Sequence, residues 1–167
     1  MDSVTIRKAE ASELNQIIGM HLSLQRHLEN SNSRIWKYTE AKKQSLKQQY
    51  VNHLIDENSL FLVAEVDGKV VGFLLAMVSN RTEYLPSIVG NLSSIYVERS
   101  YRRRGFGSRL IREACKFFSL KKAERIYARF VLGNKEAEGF WEYLGFRSII
   151  VTAGISLSEI NDKIASQ

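Results

Sequence analysis

The chain has 167 residues, 44% of them hydrophobic and 25% charged, with a formal net charge of +6 and one cysteine. That length suits one sizeable core, so residues 1–167 are expected to form a single domain, and the lone Cys115 excludes an intrachain disulfide framework and a cysteine metal cluster. The basic balance favours an anionic partner, and nucleic acid, a membrane surface and a phosphorylated cofactor all carry the right sign.

Met1 to Glu10 holds no apolar run of signal-peptide kind, and the longest apolar stretch, Val70 to Val78, is too short to span a bilayer. A cytoplasmic protein with no membrane partner is expected. Val4 to Lys8 alternates apolar and polar residues and reads as a first strand. A helix follows to about Glu29, with Leu14, Ile17, Ile18, Leu22, Leu24 and Leu28 on its apolar face. Thr39 is placed to cap a second helix reaching Glu57, with Leu46, Tyr50, Val51, Leu54 and Ile55 as its buried stripe. His21 and His27 would face different ways on the first helix, and with His53 they show no metal-ligand spacing, so no metal site is expected.

Ser59 to Val66 and Lys69 to Val78 flank Asp67-Gly68, a strong hairpin signal because both turn positions want positive φ. A polar segment with Pro86 leads to a strand ending at Val97, then an arginine-rich loop, then a helix of about four turns. Leu110, Ile111, Ala114, Phe117 and Phe118 face its core, and Cys115 is expected to be a small core residue. Glu124 to Leu132 reads as a strand, Asn134 to Leu144 as a short helix, Phe146 to Ala153 as a last strand and Ser156 to Ala165 as a final helix. A meander followed by alternating units predicts a mixed sheet with helices on its faces.

The arginine loop, Arg102-Arg103-Arg104-Gly105-Phe106-Gly107, lies between a strand and a helix. Such a turn aims unpaired backbone N–H groups and the positive end of the helix dipole one way, which favours phosphate. Gly105 and Gly107 remove the Cβ atoms that would hold a pyrophosphate away.

These residues resemble the GNAT superfamily of acyl-CoA-dependent N-acyltransferases over nearly the whole chain. Leu92 to Val97 resembles the family's central strand, and Arg102 to Gly107 fits its Q/R-x-x-G-x-G/A loop. Asn134, Ala137, Phe140, Leu144, Gly145 and Phe146 fall on its pattern running from N-x-x-A to L-G-F. The resemblance implies a mixed α/β fold, with a mostly antiparallel central sheet, a splayed parallel strand pair and helices on both faces. Acetyl-CoA would lie in the splay. Ile95, Tyr96 and Val97 would pair with the pantetheine, and Arg102, Arg103, Arg104, Gly105, Phe106, Gly107 and Ser108 would hold the phosphates. Asn134, Ala137, Phe140 and Tyr143 would border the cofactor. The two N-terminal helices and their loop would border the acceptor, with Arg34, Trp36, Tyr38 and Tyr84 as acceptor-side residues.

The catalytic positions depart from the family. Where many members carry a carboxylate base, this chain has Asn91, Ser93 and Ser94, none of which takes a proton at neutral pH. Glu83 is the acid left to act through water. The family's tyrosine acid is Trp141 here. Tyr143 is the nearest phenol, about 200° further round the helix at about 100° per residue. An acetyl-CoA-dependent N-acetyltransferase acting on a primary amine ranks first. An acyl-CoA-binding domain without catalysis ranks second, and nucleic-acid binding third for want of a recognisable motif. A homodimer is compatible with all three.

Overall fold

Asp67 and Gly68 have φ of 49° and 76°, the paired left-handed conformation of a tight hairpin turn. They join β2 (Ser59–Val66) to β3 (Lys69–Asn80) at the centre of the sheet. The structure is a computed structural model describing residues 4–166; residues 1–3, which open the Met1 to Glu10 stretch, and residue 167 lie outside the described residues.

Five strands run in the order β1 (Val4–Lys8), β2, β3, β4 (Ile88–Val97), β5 (Arg125–Ala128). The first three pairings are antiparallel and β4–β5 is parallel. Along β2, Phe61 and Val63 face one side while Leu62 and Ala64 face the other, the period of two expected of a strand buried on both faces. On one face Phe61, Val63, Phe73 and Leu75 pack with Leu14, Ile17 and Met20 of α1 (Leu14–Ser31) and Tyr50 of α2 (Glu40–Ile55). Thr39 caps α2 by accepting from the Lys42 N–H at 3.2 Å. The expected α2 stripe holds at Leu46 and Tyr50, but Ile55 is exposed at the last turn.

The other face carries α3 (Phe106–Leu120) and α4 (Lys135–Tyr143), which bring Phe106, Leu110, Ile111, Ala114, Phe118 and Trp141 onto Leu62, Leu74, Ala76 and Leu92. Cys115 sits half-buried at the margin of this core, with its thiol pushed up by burial. Gly90 of β4 lies under Phe118: a Cβ there would come within 2.7 Å of the ring. The glycine is therefore what lets α3 seat on the sheet.

Two expected strands change. The one over Glu124 to Leu132 shortens to β5, because its neighbour turns away after Leu92. The one over Phe146 to Ala153 is not a strand. Ile149, Ile150 and Val151 are exposed and have no paired neighbour. A β-branched run forms a strand only against a partner edge, and this run pairs with none of the five strands. The final helix does form, as α5 (Leu157–Ala165), with Ser156 and Glu159 in a reciprocal capping box. No helix among the described residues is long and apolar enough to cross a membrane.

Candidate active site

β4 and β5 pair only from Val89–Arg125 to Leu92–Ala128. One residue further along β4, the register with β3 jumps from Ala76–Leu92 to Leu75–Ser94, leaving Ser93 as the extra residue of a bulge. A bulge bends the strand that carries it, so β4 leaves β5 here. Residues Ser94 to Val97 keep their pairing with β3 while their other edge faces a wedge. Ile95, Tyr96 and Val97 are on this open edge.

The wedge runs to the start of α3. Arg103 and Gly105 both adopt positive φ, 60° and 79°, and the first helical hydrogen bond of α3 runs from the Arg109 N–H to the Gly105 carbonyl. The N–H groups of Phe106, Gly107 and Ser108 thus precede the helix ladder, as an anion cradle requires. A Cβ at Gly105 would meet nothing within 4 Å, whereas one at Gly107 would stand 3.1 Å from the Phe140 ring. Gly105 therefore keeps the cradle open, and Gly107 serves the packing of α3 on α4. The Phe106 side chain is buried in the core, so only its backbone faces the cradle.

The three arginines divide. Arg102 is committed within the protein: its Nε donates to the Val97 carbonyl at 2.9 Å, its Nη1 donates to Glu136 at 2.6 Å, and its guanidinium lies over the Tyr96 ring. It ties the end of β4 to the first turn of α4, so the two sequence motifs are physically joined. Arg104 lies over Tyr101. Arg103 is exposed at the left-handed position of the loop.

On α4, Asn134 is buried and caps the helix, its Oδ1 accepting from the Ala137 N–H at 3.2 Å. Phe140 stacks edge-on against Trp141, and Trp141 against Phe146. Trp141 is thus a core residue, while Tyr143 stands 82% exposed on the outer face. Trp141, where the resemblance implies a tyrosine, is thus held by Phe140 and Phe146 in the core. Asn91 donates to the Ser79 hydroxyl at 3.0 Å, and Glu83 is exposed in the 81–87 loop.

Sequence reasoning missed two clusters on the α1–α2 side. His21 is buried between two phenols, with Nδ1 2.6 Å from the Tyr50 hydroxyl and Nε2 3.0 Å from that of Tyr38. Tyr50 has no other partner among the described residues, so it donates to Nδ1. The neutral ring then donates from Nε2 to Tyr38, which leaves the Tyr38 proton free to point outward. Burial, with a smaller contribution from Lys42, lowers His21 to about 4. The only sequence signal was a histidine within an otherwise apolar stripe.

A histidine depressed when folded binds its proton more readily in the unfolded chain. Its contribution is present above about pH 6.5, its ordinary value, and is lost as pH falls towards 4. Over that window the wild type is expected to lose about 1 kcal/mol per pH unit at most through this group. His21→Gln should flatten that part of the curve; denaturant midpoints from pH 7 to 4 that decline equally in both proteins would contradict the assignment.

In the second cluster the Arg81 guanidinium lies 5.5 Å from the Tyr84 ring and 5.2 Å from the Tyr127 ring. Its Nη2 donates to the Tyr127 hydroxyl at 3.4 Å, while Nε is buried without a hydrogen-bond partner. Donation from Arg81 holds the Tyr127 phenol below its ordinary value. Tyr127 pairs with Asn91 across β4–β5, so this cation stands beside the closed end of the wedge. Trp36 and Tyr84 are exposed, and Tyr38 is half-buried.

The profile of the Acetyltransferase (GNAT) family matches residues 24–146. An N-alpha-acetyltransferase of Sulfurisphaera tokodaii is 33% identical over an alignment of 108 residues that covers 61% of this chain and 65% of that relative. The chain thus spans just under two-thirds of that relative's length. Among solved structures, the tetramutant of a Bacillus halodurans protein superposes with a TM-score of 0.80 at 18% identity, over 92% of this chain and 99% of that one. Aminoglycoside N-acetyltransferase AAC(6')-Iy in complex with CoA gives 0.74 at 19% identity, over 93% and 95%. Wedge, cradle and capped α4 all lie within the residues that match that profile, and the chain belongs to the GNAT acetyltransferase family.

Proposed function

We propose that the protein transfers the acetyl group of acetyl-CoA to a primary amine by direct attack in a ternary complex, and that the amine is the α-amino group of a polypeptide. The carrying observation is the β4 edge from Ser93 to Val97 leading to the cradle at Gly105. An open strand edge suits the peptide-like pantetheine, and aligned N–H groups suit a pyrophosphate. Bound acetyl-CoA supplies a thioester activated for attack and a thiolate leaving group. The α-amine is favoured because a relative 33% identical is named an N-alpha-acetyltransferase.

The chain's own residues would contribute mainly position. With Asn91, Ser93 and Ser94 at the usual base positions, holding the two reactants together carries the acceleration, and Glu83 would take the amine's proton through water. The outward proton of Tyr38 would donate to the acceptor, with Trp36 and Tyr84 at its margin. Arg81 adds a fixed cation there, favouring acidic or neutral N-termini over basic ones. We place this activity in the cytoplasm, in a single domain acting as a homodimer, and nucleic acid has no part in it.

Thiol release from acetyl-CoA should be followed with a peptide bearing a free α-amine, the same peptide with that amine blocked and a lysine present, and an aminoglycoside. Release with the first alone is expected. Release with only one of the others would overturn the α-amine assignment. Saturable CoA binding with no release for any amine would support the binding-only alternative.

A further inference from the structure

Arg81 stands where β3 gives way to the 81–87 loop. Its backbone N–H donates to the Ser87 carbonyl at 2.7 Å, and its own carbonyl accepts from the Tyr84 N–H at 2.9 Å. The loop therefore folds back and carries the Tyr84 ring over the guanidinium, while the Tyr127 ring approaches the same group from β5. Contacts between a guanidinium and aromatic rings are attractive, and two of them hold a long, otherwise mobile side chain in one place. Its donors are not used up by the chain. Beyond the 3.4 Å bond to the Tyr127 hydroxyl, Nε is buried without a partner and Nη1 makes no hydrogen bond among the described residues. Buried donors are normally paired, and one that is not points to a ligand.

A second guanidinium acts on the same hydroxyl. Arg81 and, to a lesser extent, Arg125 donate towards the Tyr127 phenol and hold it below its ordinary value. Neither arginine forms an ion pair among the described residues, although Glu83 and Glu124 lie close to them in sequence. Two like charges directed at one group repel each other, and an anion between them turns that repulsion into attraction.

The cluster faces the acceptor. Ile126 and Ala128 pack on the core under α3, so by strand alternation Tyr127 between them points to the face that carries α1, α2 and Tyr38. It pairs with Asn91, one residue before the last closed pair, Leu92–Ala128. The cluster is thus one strand rise, about 3.3 Å, from the apex of the wedge, at the end away from the phosphate cradle, where the amine has to arrive. We propose that Arg81, Arg125 and the Tyr127 hydroxyl form a subsite for a side-chain carboxylate of the acceptor, so that the polypeptides acetylated carry Asp or Glu among their first two residues. This rests on the α-amine reading above, and it replaces a general charge preference with recognition of one group. A guanidinium fork matches both oxygens of a carboxylate where an ammonium cannot, and the phenol, accepting from Arg81, keeps its own proton to donate.

Acetyl transfer by the full chain should be compared for peptides that have a free α-amine and differ only as Glu or Gln at the first or the second residue. At one of the two positions the Glu peptide is expected to show a kcat/KM about tenfold higher, the scale of one charged hydrogen bond, with the difference lying in KM. Arg81→Lys keeps the charge but loses the fork, and should remove most of that preference; Arg125→Gln should remove part of it. Equal kcat/KM for Glu and Gln at both positions in the wild type, or a Glu preference that Arg81→Lys leaves intact, would overturn the subsite and leave the α-amine reading standing. The wild-type comparison decides the matter even where a variant does not fold. Calorimetry with the same peptides acetylated at the α-amine needs no turnover. Tighter binding of the Glu form, lost in Arg81→Lys, would support the subsite even if no free amine were acetylated, a result that would sink the reaction alone.

Discussion

Gly105→Val is expected to lower acetyl-CoA affinity roughly a hundredfold, about 3 kcal/mol, while leaving the protein folded. At φ 79° any side chain pays about 1–2 kcal/mol for left-handed backbone. The new isopropyl group would also stand in the open space before the α3 amides, where a Cβ meets no protein atom within 4 Å. Hydrogen bonds to a charged ligand contribute about 1.5–3 kcal/mol each, so displacing the pyrophosphate from one or two N–H groups supplies the rest. Gly107→Ala is the instructive control. Its Cβ meets Phe140 at 3.1 and 3.2 Å, so its cost falls on α3–α4 packing and should appear in thermal stability before affinity. Calorimetry showing equal losses of affinity from the two changes would contradict a cradle built on Gly105.

Gly90→Ala should produce a large loss of stability from a single added methyl group. The new Cβ would lie 2.7–2.8 Å from three carbons of the Phe118 ring, and Phe118 is fully buried against the sheet. Overpacking of this kind costs about 1–3 kcal/mol, which for a domain of this size lowers Tm by about 3–10 °C. Phe118→Leu alone should also destabilise, by leaving a cavity. Combined with Gly90→Ala it should destabilise less than the sum, because the smaller side chain vacates the space that the methyl group needs. An unchanged Tm for Gly90→Ala, or strict additivity in the double variant, would show that α3 seats on β4 differently.

These two glycines show what the chain's chemistry made legible. Elements specified by local chemistry could be read directly: the Asp67-Gly68 turn, the Thr39 cap, and the strand-loop-helix unit around Arg102 to Gly107. The roles within that loop could not, because they depend on what each residue faces. Gly107 meets Phe140 from an element some thirty residues away, and Arg102 is consumed by Val97 and Glu136. His21 was hidden for the same reason, since its two phenols come from the α1–α2 loop and from α2. Phe146 to Ala153 shows the converse. Its composition is that of a strand, but a strand is a property of a pair, and this run pairs with no strand among the described residues.

The central claim is that this wedge and cradle hold an acetyl donor for transfer to an amine. It is tested most directly by mixing the protein with acetyl-CoA labelled in the acetyl group and a peptide bearing a free α-amine, then following label on the peptide and free thiol together. The account predicts that both accumulate in step, that neither does so without peptide, and that Gly105→Val slows both at subsaturating acetyl-CoA. Thiol release that ignores the peptide, or label on the peptide that survives Gly105→Val unchanged, would contradict it.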